Sequence, residues 1–283
     1  MRQRALRMIR RKIAPSRGVL RTATADSTRT RHVRYHPSAA LAPWVEHYWS
    51  VEWDYGGAAP ERVEILPHPS VHLIFQRGVG AGARVMGVAR GKVTRVLRGT
   101  GGIFAVKFTP GGFYPLLRAP ISTLTDSIAN VRDVLGSEGV ALARAVLAAR
   151  TDPARAMIVE RFLGQRLAHE NSDDVVRFAG LVYSVVNDRT ILKVEDLVAR
   201  SGEKRRTLER RFAKYVGVSP KWVIQRYRLH EAAEQLASAN GVSQVALALR
   251  LGYSDQAHFV RDFKAVVGKS PAAYTRMAAL ARR

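Results

Sequence analysis

The sequence contains no cysteine, few aromatic residues and no long apolar run. Without cysteine, this chain of 283 residues can hold no disulfide, cysteine-ligated metal cluster or thiol nucleophile, and the absence is typical of a reducing cytosol. The longest apolar segment, 140–149, is interrupted by Arg144 and is too short to span a membrane. Hydrophobic residues make up 47% and aromatic residues 8%, which is typical of a globular protein. The length predicts two domains.

Positive charge is in large excess and is concentrated at the two ends of the sequence. There are 46 basic and 23 acidic residues, which gives a formal net charge of +23. Residues 1–34 carry eleven basic residues and one acidic residue, and residues 175–283 carry twenty basic and nine acidic residues. The segment between them is close to neutral. Both ends are therefore expected to attract polyanions.

Residues 1–34 interleave arginine with small and polar residues and predict a basic disordered tail. The segment has no sustained apolar stretch of the kind that a signal peptide needs. Its few apolar residues are spaced for a weak basic amphipathic helix. A solvated tail, or upstream sequence translated from a misplaced start codon, is the favoured interpretation, and we assign the segment no function.

Residues 35–170 predict a β-rich, barrel-like domain with trailing helices. Six apolar runs lie between glycine and proline turns, and their sequences are WVEHYWSVEW, RVEILP, VHLIFQ, RVMGV, VTRVL and IFAVKFTP. Short runs rich in β-branched and aromatic residues are typical of strands, and six of them in sequence indicate a barrel or sandwich. From residue 121 to 167 the spacing favours three helices, with breaks at Gly136 and at 151–153. The polar segment 169–174 is the predicted domain boundary.

Residues 175–283 predict an all-α domain that contains an internal repeat. The sequence FAKYVGVSP, which begins at Phe212, recurs 51 residues later as FKAVVGKSP, which begins at Phe263. Each unit has a short helix, a glycine turn, a second helix and a Ser-Pro that starts the next helix; the short helices are predicted at 194–200 and 244–251. A helix, a tight turn and a second helix are the pattern of a DNA-binding helix-turn-helix.

The second helix of each unit has an outward polar face. Inward-facing apolar residues leave side chains three and four positions apart on the opposite side of the helix. The outward residues are Arg206, Glu209 and Arg210 in the first unit, and Gln256, Ala257, Val260 and Arg261 in the second. Arginine can bond guanine, glutamine adenine and glutamate cytosine, while alanine and valine can contact the thymine methyl group. A solvated charged face is the alternative, and the repeated frame with its local positive charge favours base reading.

The segment between the two units predicts a long helix over 220–240, with Gly241 as its terminator. A helix of this length measures about 31 Å, close to one turn of B-DNA at about 34 to 36 Å. The spacing predicts two recognition helices in successive major grooves on one face of the duplex. The basic residues expected to contact phosphate are Lys204, Arg205, Arg211, Lys214, Lys221, Arg226, Arg228, Lys264 and Lys269.

Residues 190–276 resemble the AraC-type bipartite DNA-binding domain. The resemblance rests on LALRLGYSDQAHFVRDFKAVVGKSPAAY, from Leu247 to Tyr274, and on LVARSGEKRRTLERRFAKYVGVSP in the first unit. The family often has serine where this chain has Lys204, so an expected helix cap is missing. The resemblance implies that six residues of this chain contact bases, namely Arg206, Glu209, Arg210, Gln256, Ala257 and Arg261.

The amino-terminal half shows a looser resemblance to the companion domain of one group of these regulators, through ILPHPSVHLIF and VKFTPGGFYPLL. This resemblance implies a module that senses a small effector or mediates self-association, and helices that pair protomers in a homodimer. The expected partners are double-stranded DNA, RNA polymerase and a small effector, with no membrane. A bacterial, cytoplasmic and nucleoid-associated location is expected.

Other patterns in the amino-terminal half suggest weaker alternatives. Four histidines, His36, His47, His68 and His72, invite a metal site, but turn and core positions are favoured because no carboxylate has ligand spacing. The glycine-rich segments 78–82 and 99–102 are interpreted as hairpin turns. The residues considered as an effector lining, for which core packing is favoured, are Trp44, Trp49, Trp53 and Phe75.

The sequence as a whole predicts an α+β multidomain protein that is a sequence-specific DNA-binding transcription regulator. We expect no catalytic residue, cofactor or metal. A second hypothesis is a DNA-repair or DNA-modifying enzyme that uses the same binding module, although methyl-accepting repair requires cysteine and a glycosylase requires a catalytic aspartate in a base-flipping pocket. A third hypothesis is a nonspecific architectural binder, which charge alone favours.

Overall fold

The computed structural model describes residues 19–20, 29–238 and 243–280. These residues form a sheet-rich amino-terminal part, in which all strands end by residue 130, and a helical carboxy-terminal part. The predicted fold class is confirmed. No helix in this described part of the chain is long and apolar enough to cross a membrane.

Nine strands among the described residues make two antiparallel sheets. The larger sheet has the order β2-β3-β8-β5-β6-β9 and the smaller has the order β1-β4-β7. The strand bounds are β1 Val19–Leu20, β2 Thr30–Tyr35, β3 Val45–Asp54, β4 Glu61–Ile65, β5 His72–Arg77, β6 Gly82–Met86, β7 Val93–Leu97, β8 Thr100–Phe108 and β9 Ile128–Asn130. The six strands predicted from apolar runs correspond to β3 to β8.

The structure differs from the sequence prediction at both ends of the strand region. The prediction of a disordered tail is wrong for residues 30–34, which lie in β2 and pair with β3 along the whole strand. Leu20 is buried and its strand pairs with β4. Arg31, His32 and Arg34 leave β2 without an apolar run, and such polar residues are typical of a strand at the edge of a sheet, which β2 is. The rest of the predicted tail, 1–18 and 21–28, lies outside the described residues.

The part of the chain that the structure describes has ten α-helices, all of which begin after β8. The bounds in the amino-terminal part are α1 Tyr114–Leu117, α2 Val131–Ala148 and α3 Asp152–Leu167, with a 3-10 helix at Ile121–Leu124. Helix α2 is kinked at Gly136, where φ is 68°, so the three helical segments predicted in this region are present. The prediction of helix from residue 121 onward is wrong at 128–130, because these residues form β9 and Ile128 pairs with Met86.

The remaining helices form the repeat that the sequence predicts. Their bounds are α4 Asp173–Asn187, α5 Val194–Ser201, α6 Arg205–Tyr215, α7 Pro220–Ser238, α8 Gln244–Arg250, α9 Gln256–Val267 and α10 Pro271–Leu280. Helices α5 and α6 form the first helix-turn-helix, and α8 and α9 form the second. Helix α7 connects the two units, and residues 239–242, at the end predicted for this helix, lie outside the described residues.

The apolar cores are shared between the two parts of the chain. One face of the larger sheet packs on α2 and α3, with cross-strand pairs such as Phe75 and Phe104 in its core. Val88 from the sheet-rich part lies in the core of the first helix-turn-helix. Leu20 and Leu66 lie in the core of the second. Burial of apolar side chains across the boundary therefore fixes both helix-turn-helix units against the amino-terminal part.

Candidate nucleic-acid interface

The first helix-turn-helix places α6 with one buried and one exposed face. Gly202 ends α5 with a φ of 68°, which glycine adopts without strain, and α6 starts three residues later. Leu208 and Phe212 are fully buried and Val216 is 1% exposed. These residues recur at helical spacing, so the opposite side of α6 faces solvent.

The outward residues of α6 lie where the sequence predicts them. Arg206, Glu209 and Arg210 are all exposed, and their spacing puts them on one face of the helix. Glu209 is 48% exposed, and its carboxylate accepts a hydrogen bond of 3.1 Å from Nε of Arg205. The face therefore carries cationic groups and one carboxylate that is paired with a cation.

The second helix-turn-helix repeats this arrangement. Helix α8 starts after Ser243, whose hydroxyl accepts a hydrogen bond from the backbone N–H of Ala246, and the turn contains Gly252 with a φ of 76°. Helix α9 is capped by Asp255, whose carboxylate accepts a 2.7 Å hydrogen bond from the N–H of His258. Such caps satisfy backbone donors that a helix start leaves free.

The outward face of α9 consists of Gln256, Ala257 and Arg261, and all three are exposed. Val260, which is predicted to face outward, is instead half-buried and packs against the core of the second helix-turn-helix beside Phe259. The exposed polar side chains on the two outward faces are Arg206, Glu209, Arg210, Gln256 and Arg261.

The amino terminus of α6 carries cations where helices usually carry anions. Lys204 occupies the N-cap position and makes no side-chain capping hydrogen bond, and the first turn contains no acidic residue. The helix dipole and the cations of the first turn then add positive potential at the same end. This arrangement costs helix stability but suits an approaching phosphate.

Helix α7 is continuous over its 19 described residues, which corresponds to a length of about 28 Å. It begins at Pro220, and the hydroxyl of Ser219 accepts a hydrogen bond from the N–H of Trp222. More than half of its residues are buried, since the helix packs between both helix-turn-helix cores and the sheet-rich part. The connection between the two units is thus a supported helix.

The residues predicted to contact phosphate fall into two groups. Those that are exposed are Lys204, Arg205, Lys221 and Lys264, and Lys269 is half-buried. Arg211 instead forms an ion pair with Glu203 and lies 5.0 Å from the ring centroid of Phe178. Lys214 lies 4.6 Å from the ring centroid of Tyr114, in the sheet-rich part. Arg211 and Lys214 therefore make cation–π contacts with aromatic rings of neighbouring elements.

Arg226 on α7 is too deeply buried to contact phosphate. Arg226 is 2% exposed, donates a 2.5 Å hydrogen bond to the backbone carbonyl of Arg90 and stacks on Trp222. Burial lowers the pKa of Arg226 to about 10. Arg228 is half-buried, and burial lowers its pKa also. The prediction that Arg226 contacts phosphate is wrong. It treats α7 as a solvated helix, whereas neighbouring elements cover the side of α7 on which Arg226 lies.

A buried polar cluster in the larger sheet reaches the helical part. Lys107 donates a 2.8 Å hydrogen bond to Glu46, and the hydroxyl of Tyr183 on α4 donates one of 2.8 Å to the other oxygen of the same carboxylate. The ammonium of Lys107 and the histidine His47 hold the pKa of Glu46 well below its usual value, despite burial that acts in the opposite direction. Periodicity gave no signal for this contact, which joins residues 137 positions apart.

The aromatic residues considered as an effector lining do not share one pocket. Trp44 and Phe75 belong to the core between the larger sheet and the helices, whereas Trp53 packs with Leu97 in a separate small cluster. Trp49 is half-buried, and its indole N–H donates to Nδ1 of His72. Core packing, the favoured interpretation, describes three of the four residues.

The histidines and glycine-rich segments also have structural roles. His68 stacks on His230 of α7 with ring centroids 4.4 Å apart, and the ring of His72 lies beside Trp49. Within the described residues, no three potential ligands cluster as a metal site would require. The segment 78–82 forms the hairpin turn between β5 and β6, as predicted, and its three glycines have positive φ. The prediction of a hairpin turn is wrong for 99–102, because only Gly99 precedes β8, residues 100–102 lie within that strand, and β7 and β8 belong to different sheets.

Comparisons with known proteins agree with this geometry. A family profile described as "Helix-turn-helix domain" matches residues 197–277, and one described as "Domain of unknown function (DUF6597)" matches residues 33–130. The HTH-type transcriptional activator AarP of Providencia stuartii is 34% identical over 94 residues, which are 33% of this chain and 69% of that protein.

Two solved structures are similar over different spans. A regulator from Chromobacterium violaceum, described as having an AraC-type DNA-binding domain, is 26% identical and covers 35% of this chain and 90% of its own, with a TM-score of 0.32. ToxT from Vibrio cholerae is 11% identical and covers 88% of this chain and 97% of its own, with a TM-score of 0.38.

The repeated helix-turn-helix and the similarity to AarP define a class of DNA-binding transcription regulators. The chain belongs to the AraC family of these regulators.

Proposed function

We propose that this regulator reads a specific DNA sequence by placing α6 and α9 in two successive major grooves of one duplex. The observation that carries the proposal is the pair of exposed polar faces on helices joined by the continuous helix α7. The length of α7, about 28 Å, is close to one turn of B-DNA at about 34 to 36 Å. A modest bend of the duplex accommodates the difference.

Base reading is assigned to the outward faces of the two recognition helices. Arg206, Arg210 and Arg261 can each donate two hydrogen bonds to guanine, and Gln256 can bond adenine. Glu209 can accept from the amino group of cytosine, and Ala257 can contact a thymine methyl group. All of these side chains are exposed, so they can enter a groove without rearrangement of the core.

Phosphate contacts are assigned to the cations around these helices. Lys204, Lys221 and Lys264 are exposed, and Lys269 lies just beyond the end of α9. Arg211 and Lys214 lie on aromatic rings, so their guanidinium and ammonium groups reach a phosphate only through the side of the group that faces solvent. Phosphate contacts fix the register of the protein on DNA and make binding dependent on salt.

The amino-terminal part, residues 35–170, is proposed as an effector or dimerisation domain, and residues 175–283 as the DNA-binding domain. The hydrogen bond from Tyr183 to Glu46 supports communication between them, because a change in the sheet that displaces Glu46 also displaces α4. The regulator is proposed to act on the bacterial chromosome without catalytic activity, with RNA polymerase as its partner. Mass measurement in solution at several concentrations tests the dimer.

Selection of bound duplexes from a random library, followed by competition binding, tests the reading proposal. Arg210→Ala and Arg261→Ala are expected to cost about 1 to 3 kcal/mol on the selected site and to relax base preference there. Lys221→Ala is expected to weaken selected and random duplexes alike. Arg144→Ala, which removes an exposed cation from α2, is the charge-matched control and should change neither property.

The reading proposal is rejected if the recognition-helix variants and Lys221→Ala lower binding to selected and random duplexes by the same factor. Footprinting separates it from nonspecific architectural binding, since a reader protects about two helical turns at a discrete position. Mass analysis of DNA bases after prolonged incubation with the pure protein tests the enzyme alternative, for which altered or missing bases are the diagnostic product.

A further inference from the structure

Three charged side chains form a salt-bridge network that joins the two helices of the first helix-turn-helix. Arg205, the first residue of α6, donates from Nη1 to Glu195 of α5 at 2.7 Å and from Nε to Glu209 at 3.1 Å. The side chains are 59%, 55% and 48% exposed, in the order Arg205, Glu195 and Glu209. The two edges of one guanidinium are thus directed at two carboxylates.

The internal repeat shows which surface Arg205 occupies. An offset of 51 residues aligns Arg205 with Gln256, and each of the two residues is the first of its recognition helix. Gln256 is assigned above to base reading. The equivalent position in the first unit therefore lies at the same place on the reading surface, although the sequence analysis assigned Arg205 to phosphate.

A carboxylate on a DNA-reading face has an electrostatic disadvantage. Glu209 must approach a polyanion, which repels it, and a glutamate side chain on an exposed helix face samples several rotamers. Arg205 offsets the negative charge and fixes one oxygen of Glu209. No donor among the residues that the structure describes bonds the other oxygen, Oε2, which can accept from a base.

We propose that Arg205 is a positioning residue for base recognition: Glu195 holds its guanidinium, and the guanidinium orients the carboxylate of Glu209 toward an amino group in the major groove. This proposal rests on the proposed reading role of α6. The amino group belongs to cytosine in the simplest pairing for glutamate. Glu195, which lies on the other helix of the unit, then influences a base pair that it does not contact.

A phosphate role for Arg205 predicts a different pattern. A phosphate contact contributes to all sequences alike, and its loss lowers the slope of log affinity against log salt by about 0.9. Positioning of Glu209 by Arg205 contributes to affinity only for duplexes that carry the base pair that Glu209 prefers. The two roles are therefore separable by base preference and salt slope together.

The experiment compares the full-length wild-type protein with Arg205→Lys, Arg205→Ala, Glu209→Ala, Glu195→Gln and the double variant Arg205→Lys/Glu209→Ala. Arg205→Lys keeps the positive charge but removes the planar group that bonds both carboxylates. Asp174→Asn is the control, because it removes one exposed carboxylate that pairs with Arg177 on α4. Circular dichroism checks that each variant is folded. Selection from a random library gives base preference, and titrations at several salt concentrations give the slope.

Glu209→Ala is expected to lower the preference at one base pair by about 5-fold or more. Arg205→Lys and Glu195→Gln are expected to lower it at the same base pair by about 2- to 5-fold, with an unchanged salt slope for Arg205→Lys. In the double variant, Arg205→Lys should have no further effect at that base pair, since its effect acts through Glu209. Asp174→Asn should leave the preference unchanged.

The positioning role is overturned if Arg205→Lys keeps the full base preference, or if its effect on that base pair persists when Glu209 is alanine. It is also overturned if Arg205→Ala lowers affinity for all sequences alike together with the salt slope. Failure of the reading function itself has a different signature, because Arg206→Ala and Arg210→Ala would then leave base preference unchanged as well.

Discussion

The hydroxyl of Thr125 donates a 2.6 Å hydrogen bond to the backbone carbonyl of Gly217, just beyond the end of α6. The second unit has a matching contact, since Nζ of Lys92 lies 3.3 Å from the carbonyl oxygen of Val267, the last residue of α9. Both donors come from the sheet-rich part of the chain. The last carbonyl groups of a helix have no hydrogen-bond partner within the helix. At the carboxy-terminal ends of both recognition helices, a side chain of the sheet-rich part supplies such a partner.

Gly217→Ala is expected to lower the free energy of unfolding by about 1 kcal/mol or more. Gly217 has a φ of 93°, and a Cβ atom there would lie 2.8 Å from the Thr125 hydroxyl and 3.0 Å from the carbonyl oxygen of Ile121. Gly180→Ala is the matched control: its Cβ would meet no atom within 4 Å, and alanine is favoured in a helix, so a gain of about 0.5 to 1 kcal/mol is expected. Urea denaturation measures both, and equal shifts would contradict the assignment of strain.

Lys204→Ser is expected to stabilise the protein by about 0.5 to 1 kcal/mol, because it supplies the N-cap that α6 lacks. The backbone at Lys204, with φ −64° and ψ 140°, already suits a cap. The same substitution is expected to lower the salt slope of DNA binding by about 0.9, through loss of one phosphate contact.

Asp255→Ala, which removes the cap of α9, is the reciprocal variant and should cost about 1 kcal/mol. Thermal denaturation compares the two substitutions. A rise in stability for Lys204→Ser without any change in salt slope would remove Lys204 from the phosphate contacts.

Arg226→Ala and Lys221→Ala are expected to act on different properties, although both remove a cation from α7. Arg226 is buried and donates to the carbonyl of Arg90, so its loss should lower the free energy of unfolding by about 1 to 3 kcal/mol. The salt slope should stay unchanged. Lys221 is exposed, and its loss should lower the slope by about 0.9 with little effect on stability. A lower slope for Arg226→Ala would show that its burial is relieved on DNA.

Stability is expected to fall as the pH is lowered through 6.5, because of His72. Burial, assisted by the charge of Lys107, lowers the pKa of His72 to about 3, and its Nδ1 accepts from the indole of Trp49. The unfolded chain, with a histidine pKa of about 6.5, then binds a proton between pH 6.5 and 3 that the folded chain does not bind. The folded state therefore loses stability with acidification, by roughly 1 kcal/mol from pH 7.5 to 5.5 for this group.

His72→Gln tests this assignment, since glutamine can also accept from Trp49 but does not titrate. Denaturation at pH 7.5 and 5.5 should show a smaller loss for the variant than for the wild type. A residual loss is expected from His47, a buried histidine whose pKa burial lowers. Identical losses for the two proteins would exclude His72 as a source of the pH dependence.

Local sequence signals predicted the helical repeat well. The glycines at 202 and 252 and the Ser-Pro steps at 219 and 270 mark where helices end and begin, because these residue types fit positive φ, capping and first-turn positions. Apolar spacing identified the buried faces of α6 and α9, since each of these helices is solvated on one side. The same reasoning failed for Arg226 because α7 is enclosed by protein on most of its circumference.

The sequence by itself determined the two-unit helical architecture and the outward faces of the recognition helices, because turn chemistry and helical period act over a few residues. Only the tertiary structure decided the partners of the cations. Glu203 pairs with Arg211, Tyr114 lies beneath Lys214, and Glu195 of α5 pairs with Arg205 of α6. These contacts depend on how distant or neighbouring elements pack against each other, and a charged side chain carries no local signal of whether its charge faces solvent, an aromatic ring or a carboxylate.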